Sequence, residues 1–193
     1  MCPIKTNLLS FGVFNVFIDD NRYPTKWENN GVVIVGGPVT IRTGANIGID
    51  RCGILSFGGN VDIGHLTTIF AHKNITIGSR VSISWNVQLI DTDFHFMEEV
   101  STHSIMRKTA PITIGDECWI GNHSSIGKGV SLADGTTVAS YSVVTKSCLT
   151  PNSLLAGIPA TIKKSGSRRV FDKQREGQLE KEYWLSEFGQ TKY

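Results

Sequence analysis

One spacing limits the possible folds of this chain more than any other feature: aliphatic residues recur every six positions without a slip. The longest run comprises Ile114, Ile120, Ile126, Leu132, Val138 and Val144. A small residue follows each of them, beginning with Gly115 and Gly121. A period of six matches neither the 3.6-residue repeat of an α-helix nor the two-residue alternation of a β-hairpin. It indicates a chain that turns a corner after every six residues.

The same spacing continues upstream in three shorter runs. These are Val35, Ile41 and Ile47; Phe57, Ile63 and Ile69; and Ile77, Ile83 and Leu89. Three six-residue segments close one triangular coil, and successive coils pair in parallel as in other solenoids. The sequence therefore predicts an all-β solenoid over residues 31–164, with one aliphatic side chain per segment pointing into the axis. A β-sandwich with accidental spacing is the alternative.

The composition agrees with one small all-β domain. Of 193 residues 20 are glycine, and charged residues make up only 19%. The formal net charge of +2 argues against a nucleic-acid partner, which usually needs a strongly basic face. No apolar stretch is long enough to span a bilayer, so we expect no stable membrane insertion. Four scattered cysteines, none in a Cys-x-x-Cys pair, favour a reduced, cytoplasmic protein.

The two ends of the chain differ from the repeat. Residues 1–30 form a lead-in, whose apolar segment 8–18 favours an edge strand or an apolar cap over a signal peptide. Residues 165–193 are rich in charge. Within them Leu179, Tyr183, Trp184 and Phe188 have helical spacing, which predicts a short helix over 172–188 packing back onto the coil.

A polar segment, residues 90–111, interrupts the repeat and is predicted to be an extended loop. Long insertions in a regular scaffold are where function concentrates. His95 lies in this loop, and a neutral imidazole can take a proton from a hydroxyl near pH 7. Asp93, two residues before it, is the preferred group to orient the ring, with Asp91 as the alternative. Either aspartate would serve equally well as a turn cap.

Two stretches carry a resemblance to a known family. "ITIGDECWIGNHSSIGKGVSLADGTTVAS" and the ending "VVTKS…PNSLLAGIPA" resemble the hexapeptide-repeat acyltransferases, and specifically their sugar and polysaccharide O-acetyltransferase branch. The resemblance implies a left-handed parallel β-helix, an exception to the usual right-handed crossover. It also implies acetyl-CoA as co-substrate without a metal, a homotrimer with active sites between neighbouring copies, and transfer to a sugar hydroxyl of a glycan precursor.

The resemblance places functional roles on particular residues. Catalytic roles fall on His95, on Asp93 and on Asn86, which would help to position the acceptor. The positions that would line the coenzyme groove are Trp119, Gly121, Asn122, Ala139, Ser140, Thr145, Lys146 and Lys164. Trp119 neighbours the core position Ile120 and should therefore face outward. A basic cluster suited to nucleotide phosphates comprises Lys146, Lys163, Lys164, Arg168 and Arg169.

The sequence also departs from the family pattern. Phe96 follows the candidate histidine where the family often has proline, and His65 and Leu66 stand near the position of an acceptor-binding asparagine. These departures leave the acceptor open. Three other functions are consistent with the repeat: an N-acyltransferase acting on an amino sugar, a zinc protein like the γ-carbonic anhydrases, and a coil that serves only assembly.

Overall fold

The computed structural model describes residues 9–13 and 23–189. Its elements are β1 Leu9–Val13, β2 Lys26–Asn29, β3 Val32–Val35, β4 Val39–Arg42, β5 Asn46–Ile49, β6 Ile54–Phe57, β7 Val61–Ile63, β8 Thr68–Ala71, β9 Asn74–Ile77, β10 Ser82–Ile83, β11 Gln88–Ile90, β12 Glu98–Glu99, β13 Ser104–Ile105, β14 Ile112–Ile114, β15 Trp119–Ile120, β16 Ser125–Ile126, β17 Ser131–Leu132, β18 Thr137–Val138, β19 Val143–Val144, β20 Ser153–Gly157, β21 Ala160–Ser165 and α1 Lys173–Phe188.

Three sheets, parallel except for the antiparallel pair β20-β21, form the sides of a triangular solenoid. Face A runs β1-β4-β7-β10-β15-β18-β20-β21, face B runs β19-β16-β11-β8-β5-β2, and face C runs β17-β14-β9-β6-β3. The chain passes through faces C, A and B in turn. After the loop, residues of β14, β15 and β16 pair with residues 18 positions later, as Thr113 does with Ser131, whereas Thr137 of β18 pairs with Leu154, 17 positions later. The predicted solenoid is confirmed, and a sandwich is excluded.

The interior is the predicted column of aliphatic side chains. All six members of the longest run are at most 2% exposed. The prediction of one inward residue per segment was incomplete, because the position two residues earlier also points inward. Some of these positions are polar and hydrogen-bond to backbone carbonyls, as Ser124 Oγ does to Ala139 O at 2.9 Å. The fixed pair of inward positions follows from the two-residue period of each short strand.

A left-handed backbone conformation recurs at two of the three corners of the solenoid. Where face C meets face A, and again where face A meets face B, one residue per coil has a φ in the left-handed region. We name these two stacks the CA column (Asn60, Arg80, Glu117, Gly135 and Asn152) and the AB column (Gly44, Leu66, Asn86, His123 and Tyr141). The eight non-glycine members have φ between 53° and 59°, and hydrogen bonds between coils hold them there.

The two ends of the described chain frame the solenoid. Strand β1 pairs with β4 at the edge of face A, whereas residues 1–8 and 14–22 of the predicted lead-in lie outside the described part. Helix α1 begins after Asp172, whose carboxylate caps the N–H of Arg175. Its described side chains are mostly exposed, with Trp184 half-buried, so the packing of this helix back onto the coil stays a prediction. Over residues 9–13 and 23–189, no helix has the length and apolarity to cross a membrane.

Candidate active site

The extended loop leaves the solenoid at the corner between faces B and C, and Asp91 fixes its starting point. This carboxylate is fully buried. It accepts the backbone N–H groups of His72, Lys73 and Asn74 at 2.7, 2.8 and 2.7 Å. The backbone O of Asp91 accepts from Ala110 N at 3.0 Å, which brings both ends of the loop together. Asp91 is therefore a structural cap, in line with the turn-capping alternative.

A lysine from the next coil clamps the base of the loop. Lys128 Nζ forms an ion pair with the carboxylate of Asp93 and donates to Arg107 O at 2.6 Å. The backbone N–H of Asp93 donates to Lys108 O at 3.0 Å. The outgoing and returning strands of the loop are thus joined by one ammonium group and by backbone bonds. The role of Lys128 was not predicted, because the insertion hides that this residue lies one coil beyond Asp91.

His95 projects from this clamped base into solvent. Its backbone N–H donates to Asp93 O at 2.7 Å, and its side chain is exposed. Among the described residues the imidazole has no hydrogen-bond or ionic partner. Phe94, whose ring lies 5.1 Å from that of Phe70, anchors the adjacent position to face B. The ring of His95 is therefore available to a substrate, while its backbone is held in place.

The predicted catalytic residues do not all lie side by side within one chain. The carboxylate of Asp93 pairs with Lys128, so its role towards His95 stays a prediction. Asn86 belongs to the AB column and lines an open cleft of about 400 Å³ with Gln88 and His123. The imidazole of His123 stacks on Tyr141 with 4.6 Å between ring centroids. Asn86 thus lies at a different corner from the base of the loop.

Half of the predicted coenzyme positions lie together beside the AB column. Ser140 Oγ donates to Asn122 Oδ1, one coil below it. Gly121 is close to the next coil, since a Cβ there would lie 2.6 Å from Ser140 N. Ala139 N donates to Leu155 O at 2.8 Å. Gly121 is thus buried by coil stacking, whereas Asn122 and Ala139 are half-buried and Ser140 is exposed at this corner.

The other four coenzyme positions are spread over two regions. Trp119 faces outward on face A, as predicted, and its Nε1 donates to Ser84 Oγ at 3.2 Å. Lys164 lies on β21 at the end of the same face. Thr145 and Lys146 follow β19 and lie one coil beyond Gly127 and Lys128, at the corner where the loop emerges. The predicted basic cluster is likewise divided, because Arg168 and Arg169 lie near the CA column.

Two residues that the sequence left open have structural roles. His65 is buried at 4% exposure, with Nδ1 2.6 Å from Thr43 O and a ring contact to Tyr23. Leu66 is a member of the AB column. His65 is therefore not available as the acceptor-binding group that the family has nearby, and Leu66 carries no polar group for that role. Among the described residues, no three of the types His, Cys, Asp and Glu are grouped as metal ligands.

The fold and the loop together define a class: a parallel β-solenoid of hexapeptide repeats with a histidine-bearing insertion. The family model "Bacterial transferase hexapeptide (six repeats)" matches residues 111–146. Galactoside O-acetyltransferase of Escherichia coli strain K12 is 34% identical over 149 residues, covering 74% of this chain and 71% of that protein. The chain belongs to the hexapeptide-repeat acyltransferase family.

Two further comparisons extend this result. The putative lipopolysaccharide biosynthesis O-acetyl transferase WbbJ of E. coli K12 is 27% identical over 149 residues, covering 73% of this chain and 76% of that protein. The crystal structure of the polySia specific acetyltransferase NeuO aligns with a TM-score of 0.63 at 24% identity, covering 96% of this chain and 80% of that one. This structural likeness shows the left-handed parallel β-helix fold. The relatives are transferases, which does not favour the zinc-protein alternative.

Proposed function

We propose that this protein is an O-acetyltransferase that moves the acetyl group of acetyl-CoA to a hydroxyl of a sugar in surface-polysaccharide biosynthesis. The observation that carries the proposal is the loop: an exposed imidazole on a backbone held by Asp91 and Lys128. The names of the relatives add the sugar and the acetyl group. These names do not favour transfer to an amine.

His95 is the general base of the proposed reaction. Its imidazole takes the proton of the acceptor hydroxyl while that oxygen attacks the thioester carbonyl carbon. The C–O bond forms, the carbonyl oxygen becomes an oxyanion, and a backbone N–H at the groove stabilises it. The C–S bond then breaks, and the imidazolium returns its proton to the leaving thiolate. No described cysteine lies in the loop to carry the acetyl group, which favours direct transfer over a covalent acyl-enzyme intermediate.

The AB column side of face A is the proposed donor groove. Small residues at Gly121 and Ala139 keep this corner narrow, and the accessible polar side chains of Asn122 and Ser140 suit the amides of a pantetheine arm, which need donors and acceptors. Trp119 offers a flat apolar surface at the same level. Thr145, Lys146 and Lys164 complete the proposed set with hydroxyl and ammonium groups for the rest of the coenzyme.

A second copy of the chain supplies the rest of the site in this proposal. His95 and Asn86 lie at different corners, so a neighbour is needed to bring a loop against an AB column. The hairpin β12–β13 at the loop tip exposes apolar side chains, with Phe96 and Val100 at 72% and 82% exposure. Burial of such side chains drives association. We therefore propose a homotrimer with three equivalent active sites. The free cysteines are consistent with a protein that works in a reducing compartment.

The test is acetyl transfer with a matched pair of loop histidines. Purified protein is incubated with acetyl-CoA and a panel of mono-, oligo- and nucleotide sugars, with thiol release and product mass as readouts. His95→Ala should reduce turnover about 10²- to 10⁴-fold while leaving coenzyme binding intact. His103→Ala, an exposed histidine of the same loop paired with Glu98, should leave turnover unchanged. Equal activity of the two variants would remove His95 from its role.

A further inference from the structure

A cleft at the CA column lies apart from the histidine loop and from the proposed pantetheine positions at the AB column. After β21 the chain returns to this corner, and the segment before α1 closes against it. The resulting cleft has a volume of about 430 Å³, and four of its eight lining residues are arginine. Arg80 comes from the column, whereas Arg168, Arg169 and Arg175 come from the tail. Because the lining residues come from two distant parts of the chain, the cleft forms only when the C-terminal segment has folded against the solenoid.

The cleft carries more positive than negative charge. Its acidic members are Glu117 and Asp172. Glu117 accepts from Arg80 at 2.8 and 3.0 Å and also pairs with Arg168. Asp172 caps the backbone N–H of Arg175 at 2.8 Å. The four arginines therefore exceed the two carboxylates by two charges. Within residues 9–13 and 23–189, the guanidinium of Arg175 has no ionic or hydrogen-bond partner.

Three of the arginines are already ordered before any ligand arrives. Glu117 fixes Arg80 and Arg168 by ion pairs from both of its oxygens. Arg169 lies 5.5 Å from the ring centre of Trp119 and 5.0 Å from that of Phe171. Its guanidinium also contacts Glu176, outside the cleft lining, at 3.7 Å. Ordered side chains lose little conformational entropy on binding, which favours affinity for a ligand of matching charge.

We propose that this cleft is a binding site for a phosphate dianion, either a phosphate monoester or a diphosphate group. The lining has two excess positive charges, of which Glu176 offsets part beside Arg169, and this net positive charge favours a phosphate over a single carboxylate. Arginine forks offer paired N–H donors that fit phosphate oxygens. Arg175 supplies the uncommitted fork, and Arg80 and Arg168 keep N–H groups beyond those that Glu117 uses. The volume also admits the sugar or base attached to the phosphate.

The chemistry of the site is argued from the cleft alone, whereas the source of the phosphate rests on the proposed function. One source is the nucleotide end of the acetyl donor, because Trp119 borders both the cleft arginines and the proposed groove. The other source is an acceptor sugar that carries a nucleotide or lipid diphosphate. Both present the same dianionic group, and competition with defined compounds separates them.

The first experiment titrates inorganic pyrophosphate into the full-length protein by calorimetry. Arg175→Gln should weaken binding about tenfold to a hundredfold, the range expected for hydrogen bonds to a charged group. Lys181→Gln, which removes an equal charge from an exposed position further along α1, should bind as the wild type does. Rising salt should weaken wild-type binding. Absence of binding to the wild type, or equal binding to Arg175→Gln, would overturn the proposal.

The second experiment identifies the source by displacing bound pyrophosphate. Displacement by coenzyme A but not by dephospho-coenzyme A or UDP assigns the cleft to the donor's 3′-phosphate. Displacement by UDP alone assigns it to an acceptor diphosphate. Displacement by none of the three overturns the assignment to a substrate phosphate. His95→Ala should bind pyrophosphate like the wild type, so a failed transferase proposal and a failed phosphate site give different results.

Discussion

Replacing Asp91 with alanine tests whether a single buried carboxylate holds the loop to the solenoid. The side chain accepts three backbone N–H groups, each at 2.7 or 2.8 Å. A hydrogen bond to a charged partner contributes about 1.5 to 3 kcal/mol, but the three bonds share one carboxylate, and their donors lie in a partly exposed turn. Taking about 1 to 1.5 kcal/mol for each of the three gives a loss of about 3 to 4.5 kcal/mol.

Asp93→Ala is the matched control, because it removes the same group two residues away. Its carboxylate is exposed and paired with Lys128, so its loss should cost about 0 to 1 kcal/mol. Asp91→Asn keeps one oxygen acceptor and should fall between the two alanine variants. Urea unfolding followed by far-ultraviolet circular dichroism, at one fixed protein concentration, measures all three free energies. Losses for Asp91→Ala and Asp93→Ala within about 1 kcal/mol of each other would contradict the reasoning.

Two further predictions concern the loop clamp and the core. Lys128→Met should lower kcat about tenfold to a hundredfold with little change in the KM for acetyl-CoA, because His95 loses its fixed position. Steady-state kinetics measures both constants, and an unchanged kcat would argue against the clamp. Burial raises the pKa of the Cys118 thiol from 9.0 to about 12. Between these pH values this thiol loses its proton in the unfolded chain but keeps it in the folded one. The free energy of unfolding should therefore fall as pH rises from about 9 to about 12, and Cys118→Ala, measured by urea unfolding across that range, should reduce the fall.

The repeat could be predicted because the aliphatic position in each six-residue segment identifies the side of that segment that faces the interior. Ile120 and Ile126 are buried for the same local reason, and no distant contact is needed to explain either. Lys128 was missed because its partner Asp93 is in an insertion, which breaks the count that aligns one coil with the next. Arg168 and Arg169 were predicted to belong to a basic cluster, but their grouping with Arg80 and Arg175 was missed because these residues are far apart in sequence. Arg80 and Arg175 come together only when the tail folds back along the corner.

The location of His95 in an exposed loop was predictable, whereas its surroundings were not. A histidine in a polar insertion is visible in the sequence, but the path of the loop depends on backbone bonds such as Asp93 N to Lys108 O. The role of Asp91 depends on three N–H groups from a turn nearly 20 residues earlier. Sequence spacing contains no information on which of two aspartates faces inward at such a corner.

Substitutions in the CA and AB columns can change the surface chemistry of the protein without changing the packing of its core. A residue such as Arg80 or His123 points away from the axis, so replacing it alters the surface without repacking the aliphatic interior. Neighbouring strands lie about 4.8 Å apart, and a column therefore presents one side chain at each step of that length along the axis. An extended substrate running parallel to the axis would meet these side chains one after another. Mutation could thus adjust recognition at a single step, and specificity could diverge among relatives that keep the same scaffold.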